Sequence, residues 1–387
     1  MNRFLRDVSV KCGLFMMAYY ITNSIFQTFM SLFYVNRGLS NTQIGLINSM
    51  IALVSVFAMQ LWGAAGDRAK SRNRLLCFMA VSSAALVLSL FVSDAFFYLL
   101  PASCAFAFFY TSLQPMGDSI ILESLEPCGR PFGPVRMAGG VSFAIMAMIF
   151  GRILDAAGDA NLIVYSIGGM CLVIALAALY LPPVSGTGKR KKGANMLGLL
   201  KNRELLRLFL LMIPLQITLG YFYAFFSPMF KNDIPGGNET LLGWCFFISA
   251  MSEVPFLLNA DRLFEKYGAG KLMCVTAMTF TLRWLIVATA KSAVVAMLSQ
   301  LLHFWGIIVI MVTMSKHIQA TVPDDQKASG QLLISVFGFG VARVIGYFGG
   351  GLLSDLTSRQ DVFFLCAGIC LVCALVFTPY YFRKPKA

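Results

Sequence analysis

The sequence predicts an all-α integral membrane protein of twelve transmembrane helices, arranged as two six-helix bundles around a central cavity. Three observations lead there. The 387 residues are 58% hydrophobic and only 13% charged, and their mean hydropathy of +0.74 is far above what a soluble domain keeps in solution. Apolar runs of roughly 20 residues recur along the chain, each long enough to cross a hydrocarbon core of about 30 Å as a helix. A single long polar stretch, rich in Gly and Lys at about 183–203, divides these runs six and six.

The runs fall near 11–35, 42–65, 74–93, 95–124, 133–157, 161–182, 204–230, 238–259, 270–290, 292–316, 328–356 and 360–382, and are numbered here as helices 1 to 12. They are continuously apolar and lack the in-and-out alternation of barrel strands, so a β-barrel is excluded. The basic opening MNRFLRD precedes a run too long for a cleavable leader, with no small-residue cleavage site, so helix 1 is expected to stay as a signal anchor. The expected organisation is an N-terminal bundle over 1–182, a linker over 183–203 and a C-terminal bundle over 204–387.

The net charge of +13 and the run GKRKKG at 188–193 first suggest nucleic acid. With twelve helices the excess reads as topology, because Lys and Arg are retained on the cytoplasmic side during insertion. One set of loops holds most of the 31 Lys and Arg, while the opposite set holds roughly four: Arg37, Lys231, Lys291 and Arg359. Both termini are therefore expected in the cytoplasm of a multi-pass cell-membrane protein. Lipids are its expected surroundings, a monomer its expected state, and nucleic acid is not an expected partner. The ten cysteines are scattered singly through apolar runs, as buried thiols are. Cys366, Cys370 and Cys373 share a face of helix 12, but neither a fourth ligand nor a helix break accompanies them, and they read as small packing residues. No metal spacing, nucleotide loop or nucleophile with an adjacent base is present, which argues against an enzyme.

Ionisable groups deep in apolar segments are expensive and usually face a cavity with a partner. Asp118 lies nine positions before Pro127 and Arg136 nine positions after it, so the two are expected at similar depth on helices 4 and 5, roughly 10–13 Å in from the turn, where they can pair. The second half repeats the idea with Glu253 on helix 8, Arg283 on helix 9 and His303 on helix 10. Arg343, on Gly-rich helix 11, reads more weakly, since Gly338, Gly340 and Gly346 around it also suit packing.

A turn recurs in each half. GAAGDRAKSRNR, with Gly63, Asp67 and Arg68, follows helix 2, and LLNADRLFEKYGAGK, with Asp261 and Arg262, follows helix 8. The first of these, with the six-plus-six layout and basic central loop, resembles the major facilitator superfamily, although Lys70 stands where that pattern usually has a second glycine. Gly63 is expected to allow close helix packing. Asp67 near a helix end is expected to pair with a neighbouring basic group, giving a contact that breaks as the halves rock.

PMGDSIILE, FGPVRMAGG, SEVPF, LRW and QLLHFWG, in that order on helices 4, 5, 8, 9 and 10, resemble the phenylpropionate permease group and the oligosaccharide:proton symporters of the lactose permease kind. The resemblance implies that Asp118, Arg136 and Phe143 bind substrate, and that Glu253, Arg283 and His303 take part in coupling, with His303 also near substrate. The lactose permease kind carries a proton-accepting glutamate three residues after the helix 10 histidine, where this chain has Gly306. That departure, and Trp284 after Arg283, favour the phenylpropionate group and leave Glu253 as the expected proton carrier, with Asp118 second. The stretch GRPFGPVRMAGG resembles the antiporter motif of helix 5 but has four residues, not two, between Gly-Pro and Gly-Gly.

The resulting expectation is a secondary transporter without cofactors, driven by a proton gradient. It imports a small polar or aromatic solute, such as a sugar, nucleoside or aromatic acid, together with protons by alternating access. The alternative is a proton-driven antiporter exporting a drug or metabolite, and a receptor without transport stands behind both.

Overall fold

The computed structural model describes residues 7–186 and 196–382, and these are almost entirely helical. The run GKRKKG lies outside the described residues. Helices 1 to 6 span Val8–Asn36, Asn41–Arg68, Arg72–Phe91, Phe96–Cys128, Phe132–Ala157 and Asn161–Tyr180. Helix 7 spans Arg203–Asn232, helix 8 residues 239–267, helix 9 residues 269–289, helix 10 Ala293–Thr321, helix 11 Ser329–Leu356 and helix 12 Arg359–Phe382. Ten of these rods are long and apolar enough to cross a membrane. Helix 1 carries the buried polar residues Thr22, Ser24, Thr28 and Ser31, and helix 8 is interrupted at Glu253; these two complete the twelve.

The ends of the rods follow local chemistry. Asp7 caps helix 1 by accepting from the Ser9 amide at 2.8 Å, and that bond, with the nearby Arg130 guanidinium, holds its carboxyl below the usual range. Asn202 and Asn238 cap helices 7 and 8 in the same way. Gly268, at φ 71° and ψ 168°, separates helices 8 and 9 where a residue with a side chain would be strained.

By contacts, the chain forms two compact units: Met1–Leu39 with Met50–Lys191, and Ser40–Ser49 with Lys192–Ala387. The first turns of helix 2 thus belong to the second unit. There Asp355 at the end of helix 11 accepts from the backbone amides of Asn41 and Thr42 at 3.0 and 2.7 Å and from both their side chains, acting as an N-cap donated by another helix.

Both units use the same pairings. In the first, helix 1 packs on helix 5 and helix 3 on helix 6; in the second, helix 7 packs on helix 11 and helix 9 on helix 12. Small residues set the approach. A Cβ on Gly168 would meet Leu88 at 3.1 Å, and one on Gly346 would run into the backbone of Ile217. The weak sequence repeat between the halves is thus a structural one.

Four helices are irregular, two of them at prolines. Helix 4 breaks at Thr111–Ser112, where Pro115 has no amide to offer the Thr111 carbonyl. Pro255 has the same effect at Met251, next to the break at Glu253. Helix 10 runs as a 3₁₀ helix over Ser299–Trp305, and helix 11 as a π-helix over Ser335–Val341. The expectation of an unbroken helix 4 is corrected here.

Candidate functional site

In the first unit the candidate residues gather on helices 1, 4 and 5. Arg136, in the second turn of helix 5, lays its guanidinium 4.6 Å over the ring of Tyr20. Tyr20 is fixed from two sides: Gln114 donates to its hydroxyl at 2.9 Å, and its ring lies against Gly139, where a Cβ would come within 2.6 Å of Cδ2. Phe143 is half-buried, and its backbone carbonyl accepts from Ser24 at 2.8 Å. Asp118 follows Gly117, whose missing side chain makes room for the Phe15 ring, and its buried Oδ1 has no hydrogen-bond partner among the described residues.

The expected Asp118–Arg136 ion pair is not formed among the described residues. The spacing about Pro127 gives the depth of each residue but not its azimuth, and the guanidinium turns to Tyr20. Tyr19, stacked on Tyr110 at 5.7 Å, lies within Coulombic range of both charges and is their shared neighbour.

In the second unit Glu253, Arg283 and His303 do converge. His303 Nε2 lies 3.3 Å from Glu253 Oε1. His303 Nδ1 is buried with no partner among the described residues. Arg283 is 0% exposed, with its guanidinium 4.4 Å from the centre of the Phe222 ring and 4.7 Å from that of Trp284, two adjacent rings whose centres are 5.4 Å apart. One Nη2 donates to Gln300 Oε1 at 2.6 Å, an oxygen that also accepts from Ser249 at 3.1 Å. Trp284 is anchored by its indole N–H, which donates to Thr218 at 3.1 Å. The 3₁₀ form of Ser299–Trp305 accounts for the placement of Gln300 beside His303, because three residues make one turn there.

Gln300, Phe222, Tyr19 and Tyr20 were not marked out by sequence reasoning. Gln300 had a legible signal, a polar residue three positions before His303 in an apolar run. The aromatic residues had none, since Phe and Tyr crowd the whole chain.

The turn after helix 2 is also built differently from the expectation. A Cβ on Gly63 would meet no atom within 4 Å, so the expected close packing there is corrected; the buried glycine is Gly66, 3.1 Å by the same measure from Met116. Arg72, 5% exposed at the start of helix 3, donates to Gly66 O at 3.3 Å and Ser119 at 3.3 Å, pairs with Asp67 at 3.4 Å and also pairs with Glu123. Arg68 is exposed. In the second copy Asp261 pairs with Lys316, and Asp261 and Arg262 are both exposed.

Among the described residues no group of His, Cys, Asp and Glu is arranged to hold a metal, and the ten cysteines are free thiols. The MFS_1 like family model matches residues 9–365. The chain belongs to that family. It is similar to the uncharacterized transporter YwbF of Bacillus subtilis, 24% identical, with 97% of this chain and 93% of that one covered. It is also 22% identical to a probable 3-phenylpropionic acid transporter of Escherichia coli over 95% of each. A crystal structure of the nucleoside transporter NupG superposes with a TM-score of 0.84 at 18% identity, covering 98% of this chain and 100% of the other, and shows the shared fold. This MFS_1-like chain is therefore a multi-pass membrane transport protein of the major facilitator fold, not an enzyme.

Proposed function

We propose that the protein is a proton-coupled symporter that imports a small polar or aromatic solute, such as a sugar, nucleoside or aromatic acid, by alternating access. The observation that carries this reading is the contact of Glu253 with His303 beside the fully buried Arg283. An ionised carboxylate there attracts both neighbours; a protonated one gives up that attraction and frees the imidazole and guanidinium for a solute. Glu253 is the proton carrier in this scheme, with Asp118 second. Arg136, Asp118 and Phe143 contact the solute, and His303 links solute and proton.

The aromatic faces under Arg136 and Arg283 suit stacking on a ring, and the free edges of the guanidiniums suit hydroxyl or carbonyl oxygens. The distribution of Lys and Arg supports termini in the cytoplasm, and we take the monomer as the transporting unit. Asp67, Arg68, Asp261 and Arg262, with Gly63, are assigned to the conformational change.

The test is uptake into proteoliposomes with an imposed pH gradient, across a panel of sugars, nucleosides and aromatic acids. Uptake driven by an acidic exterior and abolished by Glu253→Gln is the expected result. Uptake that ignores the gradient and survives Glu253→Gln would sink the symport reading.

A further inference from the structure

Arg343 of helix 11 is left without a role by that scheme, yet its guanidinium lies over an aromatic ring as those of Arg136 and Arg283 do. It is 8% exposed, with its guanidinium 4.6 Å over Tyr223 and 5.7 Å from the centre of Phe339. Stacking uses the faces of the guanidinium and leaves its in-plane N–H groups for an acceptor. Of these, Nη1 reaches the Tyr347 hydroxyl only at 3.5 Å, and Nε is buried without a partner among the described residues.

The backbone around Arg343 is fixed. A Cβ on Gly220 of helix 7 would stand 3.2 Å from the Arg343 carbonyl oxygen and 3.3 Å from its Cα, so the two helices touch at this point. The π-helix over Ser335–Val341 ends two residues earlier; such a widened turn shifts the azimuth of the side chains that follow and frequently marks a functional site. Tyr223, under Arg343, also lies within electrostatic reach of Glu253, Arg283 and Tyr347.

Charge decides what this arrangement accepts. A guanidinium stays charged in a protein, and an unpaired one within a membrane span is costly. The second unit sets Arg283 and Arg343 against Glu253 alone, and neither guanidinium has an ion-pair partner among the described residues. In the first unit Asp118 balances Arg136. One buried positive charge is therefore in excess, and a proton on Glu253 raises the excess further.

We propose that Arg343, with Tyr223 and Tyr347, is an anion-recognising site, and that the transported solute carries a carboxylate. A carboxylate matches the single excess charge and the planar donor fork, whereas a phosphate dianion overshoots it. The inference rests on the symport reading and narrows its substrate class: an organic acid enters with its proton.

The test uses matched probes that differ in charge alone, 3-phenylpropionate against 3-phenylpropionamide and glucuronate against glucose. Thermal stabilisation of the purified protein and proteoliposome uptake are both measured. The acids are expected to stabilise and enter, and their neutral partners to do neither. Arg343→Gln is expected to weaken the acid at least about tenfold, with Arg343→Lys recovering part of the loss. Tyr347→Phe, which keeps the ring, gives the same direction with a smaller loss and serves if Arg343→Gln does not fold. Uptake of the acids at wild-type levels by Arg343→Gln, or no response to either acid at millimolar concentration, overturns the proposal. Neutral uptake driven by the pH gradient would overturn the anion site and leave symport standing. Arg343-dependent uptake of an acid that ignores the gradient would do the reverse.

Discussion

His303 and Glu253, fifty residues apart on helices 10 and 8, meet at 3.3 Å within the second unit, and the irregular backbone at each position brings them there. Glu253 is at a proline-induced break and His303 in a 3₁₀ turn. Discontinuous helices of this kind are where transporters commonly place polar groups that must change partners. Glu253→Gln keeps the shape and removes the ionisation. Uptake driven by a pH gradient is expected to fall at least about tenfold, while exchange of labelled for unlabelled solute at equal pH persists. Equal loss of both would show that the residue serves structure or binding, not coupling.

Gln300 is the one side chain that hydrogen-bonds Arg283 among the described residues. Gln300→Leu leaves a buried guanidinium with no acceptor, and an unmade bond to a buried charged group costs about 1–3 kcal/mol or more. The melting temperature of the detergent-purified protein should fall clearly. The double variant with Arg283→Met removes the stranded charge as well and should recover part of the loss. If Gln300→Leu alone melts like the wild type, the contacts with Phe222 and Trp284 are sufficient to hold Arg283.

Gly139 and Gly140 form an internal control. A Cβ on Gly139 would come within 2.6 Å of Tyr20, the ring under Arg136, whereas one on Gly140 would meet nothing within 4 Å. Gly139→Ala is expected to displace Tyr20 at a cost of about 1–3 kcal/mol and to reduce uptake, and Gly140→Ala to do neither. Solute titrations on both variants check this, and equal behaviour would remove Tyr20 from the solute-binding account.

Arg72 is buried among four oxygen partners, while Arg74, two residues on, is exposed. Asp67 and Glu123 keep access to solvent, so removing Arg72 costs chiefly the hydrogen bonds of its buried guanidinium, about 1.5–3 kcal/mol for a bond to a charged group. Arg72→Ala is therefore expected to melt early or fail to express, and Arg74→Ala to behave as wild type. A thermal shift of the two side by side is sufficient.

Much of the candidate site was legible in the sequence because membrane burial makes charge conspicuous. Asp118, Arg136, Glu253, Arg283 and His303 stand out against apolar neighbours without any knowledge of the fold. The breaks near the two acids were not read from the sequence, although Pro115 and Pro255 cause them: a proline without an amide frees a carbonyl one turn earlier. The turn after helix 2 was legible only in part. Its acid and arginines are visible, but Arg72 differs from Arg68 and Arg74 through burial alone, which a loop sequence does not reveal.

The sequence by itself determined the helices, their number and the residues that bear charge inside the bilayer, because length and polarity are local and a lipid core tolerates few exceptions. Tertiary structure alone decided which of those residues meet. Asp118 and Arg136 share a depth but not an ion pair, while Glu253 and His303 do touch, since contact depends on helix azimuth, and azimuth depends on how Gly139, Gly220 and Gly346 let neighbouring helices approach. It also raised Arg343 from a weaker candidate to a guanidinium stacked on Tyr223 with a free edge. The 3₁₀ turn that carries His303 and the π turn just before Arg343 were likewise seen only in the structure.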